Sequence, residues 1–176
     1  TLALEYILKQ LPAGMPPILI VQHMPPKFTF QFAARLNELS ALSVKEAEDN
    51  EVITTGNVYL AMGGMHLTVQ RRGALLYTRY SDAEKVHFQK PAVDVLFASA
   101  AEEIGRNALG ILLTGMGKDG AEGLLKMKNA GARTLAQDEA SSIVWGMPKA
   151  AIDLGAAHEI IALNRIAARM VEWSQG

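Results

Sequence analysis

The spacing of apolar positions divides this chain into three stretches. Leu4, Ile7, Leu8 and Leu11 recur at helical spacing, which predicts an amphipathic helix over residues 1–10 that Pro12 and Gly14 terminate. Ile18 to Gln22 is a largely apolar run, too short for a helix and bounded by Pro16-Pro17 and Pro25-Pro26, so it reads as a strand buried on both faces. Phe28, Phe32, Leu36 and Leu39 then mark a second helix. The middle third is β-rich, with short strands at Ser43–Ala47 and Val58–Ala61. Leu67-Thr68-Val69 and Leu75–Thr78, joined by turn residues through Gly73, read as an antiparallel hairpin. From Pro91 the helical period returns in Val93, Leu96, Phe97, Ala100 and Ile104, and Ala108 to Thr114 is a second strongly apolar strand. A helix over 121–130 closed by Gly131, a strand Arg133–Gln137, a helix Pro148–Leu154 closed by Gly155 and a strand Glu159–Ala162 follow, with Asn164 placed to cap a final helix.

Strands that alternate with helices of about ten residues are the mark of βαβ units. The expected fold class is therefore α/β: a doubly wound, mostly parallel sheet with helices on both faces and the hairpin as an accessory. No internal repeat or interdomain linker interrupts the 176 residues, which are expected to form a single domain.

Composition narrows the chemistry. At 49% hydrophobic and 20% charged the chain has the balance of a globular domain with a full core. A net charge of −1, with no basic run longer than Arg71-Arg72, argues against nucleic acid as a partner. The absence of cysteine excludes disulfides, a thiolate nucleophile and thiolate metal sites. No apolar stretch approaches the ~20 residues that span a bilayer, and the first residues lack the basic flank of a signal peptide, so a cytoplasmic protein without membrane insertion is expected. His66, His87 and His158 show no metal-ligand spacing, and neither a metal nor a cofactor is expected.

His23 and Asp119 each follow an apolar strand, and in open parallel sheets ligands bind beyond the carboxyl ends of the strands. An imidazole there can shuttle a proton for a hydroxyl nucleophile, and a carboxylate on its other ring nitrogen can orient it. On local sequence alone a loop role for His23 and a capping role for Asp119 on the next helix stand beside that reading. Gly115-Met116-Gly117-Lys118-Asp119-Gly120 places three glycines at a strand-to-helix junction, where backbone N–H groups could meet an anion or oxyanion. Its Gly-x-Gly-x-x-Gly spacing also matches a dinucleotide fingerprint, though late in the chain. Gln137–Ser142 and Trp145–Pro148 are expected to wall the same mouth, with Ser141 or Ser142 capping a turn and Pro148 starting a helix.

Five ordered blocks resemble the catalytic domain of CheB, the chemotaxis protein-glutamate methylesterase family. They are Gln22–Pro26, Ser43–Ala47, Pro91–Phe97, Leu113–Gly120 and Glu139–Ser142 through Gly146–Pro148, and together they cover essentially the whole chain. The resemblance implies hydrolysis of γ-glutamyl methyl esters on methyl-accepting chemotaxis receptors, and in many members deamidation of receptor glutamines. It assigns His23 as base, Asp119 as its support and the Met116 N–H as an oxyanion donor. The family's nucleophile is a Ser in a Gly-x-Ser-x-Gly-Gly loop after its first strand, and Thr1 aligns with the Thr following Ser-Thr-Gly-Gly. The Ser and that first strand are therefore expected upstream of residue 1, in a domain that is N-terminally incomplete. A catalytically inactive receptor-binding or regulatory derivative that kept the fold and lost the nucleophile is the alternative. Family members commonly carry a receiver domain in cis, which implies a regulatory partner outside this chain. Gln89-Lys90 stands where the family pattern has His-Arg.

Overall fold

A computed structural model describes residues 1–176. Helices α1 (Leu2–Gln10), α2 (Phe28–Leu39), α3 (Val93–Glu103), α4 (Ala121–Asn129), α5 (Met147–Asp153) and α6 (Leu163–Gln175) alternate with strands in the first and last thirds of the chain, and four strands follow one another in the β-rich middle. Three strands pair in parallel in the order β1 (Ile18–Ile20), β3 (Asn57–Leu60), β2 (Ser43–Glu46), with Val58 of β3 opposite both Ile18 and Val44. A second parallel set runs β6 (Leu109–Leu112), β7 (Arg133–Gln137), β8 (Glu159–Ile161). The hairpin of β4 (His66–Arg72) and β5 (Leu75–Ser81) is antiparallel and separate from both.

β1 lies at one edge of the first parallel set, opposite β2, and β6 at one edge of the second, opposite β8. Edge position explains why β1 departs from the expected burial on both faces: Ile20 is buried, but Ile18 and Leu19 are only half-buried. The predicted strands overrun β1 by two residues and β6 by one residue at the start and two at the end, because the chain leaves the ladder there to form the loops at the strand ends.

Helices cover both faces. Ile7, Leu8, Phe32, Leu36, Ile166 and Met170 of α1, α2 and α6 pack with Ile20, Val44, Val58, Leu60, Leu135 and Ile161, so one apolar layer spans both sheets. On the other face α3 packs with the hairpin through Leu96, Ala100, Leu67 and Val69, and α3, α4 and α5 share Val93, Leu124, Met147 and Ala151. Fully burying a side chain such as Leu36 or Ile166 stabilises the fold by about 1.5–3 kcal/mol. None of the helices is long and apolar enough to cross a membrane.

Asn164 does not cap α6. The helix starts one residue earlier, with Ala162 at the cap position, and the Leu163 N–H donates instead to Ser141 Oγ at 3.0 Å. A hydroxyl from 22 residues upstream thus does the work expected of the neighbouring amide. The two other minor expectations for that segment hold: Ser141 also closes a turn on Asp138, and Pro148 lies in the first turn of α5.

Candidate active site

Loops after β1, β3, β6 and β7 gather at the carboxyl ends of the strands. His23 follows β1, Asp119 follows β6, and His23 Nε2 donates to Asp119 Oδ2 at 2.6 Å. The two edge strands therefore bring together side chains 96 residues apart in sequence. The Asp119 side chain is 2% exposed, whereas the imidazole is 19% exposed and reaches the surface. Its Nδ1 bonds to no group of the chain, which leaves one nitrogen oriented by a carboxylate and the other open to a ligand.

Asp119 is held by more than His23. Its Oδ2 also accepts from the Val93 N–H at 2.7 Å and its Oδ1 from the Asp94 N–H at 2.9 Å. These are free donors at the start of α3, so Asp119 caps a helix, but not the one that follows it. Asp94 returns the arrangement: its Oδ1 accepts from Gly120 N–H at 3.1 Å and Gly123 N–H at 2.7 Å, at the start of α4. Two buried carboxylates thus cap each other's helices. Burial pushes the Asp119 carboxyl up, yet the hydrogen bonds from His23 and from the Asp94 and Val93 N–H groups outweigh it and hold the group below the ordinary carboxylate range.

This crossing also decides between readings of the glycine-rich turn. The N–H groups at the head of α4 that a phosphate would need are spent on Asp94, which argues against the dinucleotide spacing. The N–H groups of Met116, Gly117 and Lys118 have no acceptor within the chain, and Met116 is 80% exposed. The turn's shape depends on small residues. Gly117 and Gly120 have φ of +91° and +98°, and the Gly146 α-carbon sits so close that an added Cβ would lie 2.8 Å from Gly115 O and 3.0 Å from Gly117 N. Behind the turn, Gln137 accepts from the Thr114 N–H and donates to Ser141 O, while Trp145 Nε1 donates to Gln137 O. The Gln137–Pro148 segment does wall the mouth.

The other wall is residues 82–90. His66 accepts the Ala92 N–H at Nδ1 and donates from Nε2 to Glu84 O, and Lys90 pairs with Asp82. Val86 and Gln89 exchange two backbone hydrogen bonds, closing a two-residue turn in which His87 and Phe88 have φ of +51° and +63°. For side-chain-bearing residues this left-handed backbone costs about 1–2 kcal/mol each. His87 Nε2 bonds to Asp94 Oδ2 at 2.8 Å and anchors the turn to the capping pair. Lys85, Phe88, Gln89 and Lys90 line a cavity of about 240 Å³ together with His23, Met24 and Pro25. Gln89 and Lys90, where the resemblance leads one to expect His-Arg, thus line the same cavity as His23. A larger hollow of about 350 Å³ near Pro12 and Val171 contains no titratable side chain.

Sequence reading did not find His87, Asp94 or the tethered turn. Asp94 carried one signal, an acidic residue in the first turn of a helix entered through a proline. His87, Asp94 and Glu122 bring ligand atoms within 4.8 Å of one another, although their spacing in sequence resembles no metal motif. Both Asp94 oxygens there are already engaged by N–H donors.

Fold and site together define a doubly wound α/β domain with a crevice at the carboxyl ends of the strands, where an imidazole rests on a buried carboxylate. The model of the CheB methylesterase family matches residues 1–170. The chain belongs to that family. It is 53% identical over 174 residues to a protein-glutamate methylesterase/protein-glutamine glutaminase of Xanthomonas campestris, covering 99% of this chain and 49% of the relative. A protein of the same description from Photorhabdus laumondii is 52% identical over 171 residues, covering 97% and 49%. The chain spans about half the length of the curated relatives it matches. The crystal structure of the Thermotoga maritima CheB methylesterase catalytic domain superposes with a TM-score of 0.94 at 38% identity, covering 97% of this chain and 90% of that one.

Proposed function

We propose that residues 1–176 form the body of one catalytic domain that hydrolyses glutamate γ-methyl esters on methyl-accepting chemotaxis receptors in the cytoplasm, and deamidates receptor glutamines by the same route. The observation that carries this reading is the 2.6 Å bond from His23 Nε2 to the buried Asp119, with His23 Nδ1 open toward the crevice. The relatives' shared description as methylesterase and glutaminase supports the reaction class.

In this mechanism a serine hydroxyl supplied from upstream of Thr1 attacks the ester carbonyl carbon, and His23 Nδ1 takes its proton. Asp119 holds the ring in the tautomer with Nε2–H and stabilises the imidazolium that forms. Negative charge on the carbonyl oxygen is met by the Met116 N–H, one of the donors without an acceptor in the chain. Collapse breaks the bond to the methoxy oxygen, which leaves as methanol with the proton from His23. Water then gives a proton to His23 and attacks the acyl-serine carbonyl; the bond to the serine oxygen breaks, His23 returns the proton to that oxygen, and glutamate is released. A glutamine substrate follows the same steps with ammonia as the leaving group. A receiver domain in cis, where the whole protein has one, would regulate access by covering the strand-end mouth.

The test is methanol release from methylated receptor by the intact protein. Asp119→Asn should lower turnover on the order of 10⁴-fold, and His23→Ala comparably, with some catalysis left from the oxyanion donors. Unchanged turnover in both variants would overturn the assignment.

A further inference from the structure

We infer that Phe88 is a specificity-determining residue that reads the polypeptide around the ester, so that a protein substrate is favoured over a free ester; this rests on the methylesterase reading above. Phe88 is 93% exposed, more than any other large apolar side chain of the molecule. Its exposure does not come from slackness. The turn that carries it is closed by hydrogen bonds of 3.0 and 2.9 Å between Val86 and Gln89, and residues 82–90 are tied down by Lys90 on Asp82, His66 on the Glu84 carbonyl and His87 on Asp94.

Backbone held in a left-handed conformation at two successive non-glycine residues needs surroundings that enforce it, and such positions concentrate where a ligand is met. Here the enforced conformation turns His87 inward onto Asp94 and leaves Phe88 outward. The ring gains nothing from the fold: it joins none of the three apolar clusters. It does line the cavity that His23 opens into.

The occupant that fits is a protein segment bearing the γ-methyl ester. The ester side chain itself is short and enters toward His23, so a ring at the rim meets the residues that flank it. An aromatic ring offers them a large apolar contact at low conformational cost. Lys85, exposed on the same rim, adds a positive charge suited to an acidic segment, as a stretch carrying several glutamates would be.

The experiment compares the intact protein with Phe88→Ala and Phe88→Leu on two substrates, a methylated receptor and a blocked glutamate γ-methyl ester. Ile160→Ala, an equally simple loss of an exposed apolar side chain on β8, is the control. For Phe88→Ala the ratio of kcat/KM for receptor to that for the small ester should fall about tenfold, the effect of one anchoring aromatic, and the fall should lie in KM. Phe88→Leu should recover part of it, and Ile160→Ala should leave the ratio unchanged. An unchanged ratio in Phe88→Ala overturns the inference, as does a change in oligomeric state with selectivity intact, which would make the ring a self-association contact. If the unsubstituted protein hydrolyses neither substrate, it is the methylesterase reading that fails instead.

Discussion

Asp119 shows how one carboxylate can be deeply buried and still stay charged. Three N–H donors face its two oxygens, which is why its pKa lies below the ordinary range although burial alone would raise it. A depressed folded-state value contributes stability that is present above the unfolded value, near 4, and is lost as pH falls through the folded one. Urea midpoints measured from pH 5 down to pH 3 should therefore fall less steeply in Asp119→Asn than in the unsubstituted protein. Asp94 matters through the donors it holds. Asp94→Ala would leave the Gly120 and Gly123 N–H groups buried without an acceptor, at a cost of about 1–3 kcal/mol each. Thermal unfolding should show a clear loss in Asp94→Ala and a smaller one in Asp94→Asn, which keeps one carbonyl oxygen for the donors. At this scale, sequence singled out His23 and Asp119 by their position after apolar runs and by resemblance. Asp94 lay hidden because the N–H groups it caps sit 26 and 29 residues away, and no local pattern encodes a crossed cap.

Among the elements, the site depends on backbones that approach more closely than side chains permit. Gly146→Ala would drive a methyl group into the carbonyl of Gly115 and the amide of Gly117, and the turn carrying Met116 and Asp119 would have to shift. Turnover should fall by an order of magnitude or more in that variant, since displacements of about 1 Å can cost 10²-fold; kinetics on the small ester would register it without any contribution from receptor binding. The hairpin is joined to the sheet by Tyr80, whose hydroxyl donates to Ala47 O at 2.7 Å and accepts the Met62 N–H at 2.9 Å. Burial, only partly offset by the Met62 bond, pushes its pKa up to about 12. Tyr80→Phe should lower stability by about 1–3 kcal/mol, the cost of leaving the Met62 and Ala47 groups unpaired, as read by chemical denaturation. Helices and the hairpin were legible because a period of 3.6 or 2 is a local property of the chain. The ends of β1 and β6 were not: Val21, Leu113 and Thr114 keep the apolar or β-branched character of a strand while leaving the ladder to build the crevice.

For the molecule as a whole, two parallel sheets of three strands each share one apolar layer made with α1, α2 and α6. Ile166 is fully buried in that layer, so Ile166→Ala should destabilise by about 2–5 kcal/mol. Because the layer touches both sheets, the loss should appear as one cooperative transition seen equally by tryptophan fluorescence and by circular dichroism. Alternation of strand and helix announced the doubly wound class, but the pairing order β1-β3-β2 and β6-β7-β8 is decided by contacts between distant segments, which local periodicity does not carry. The crossed caps have a consequence at the scale of descent rather than of stability. A change at Asp94 or at Asp119 strips donors at the head of the helix that carries or follows the other, so a substitution at one is felt at both. A lineage without the proposed chemistry would therefore still favour a hydrogen-bond acceptor at position 119, because the head of α3 needs one whether or not the imidazole is used.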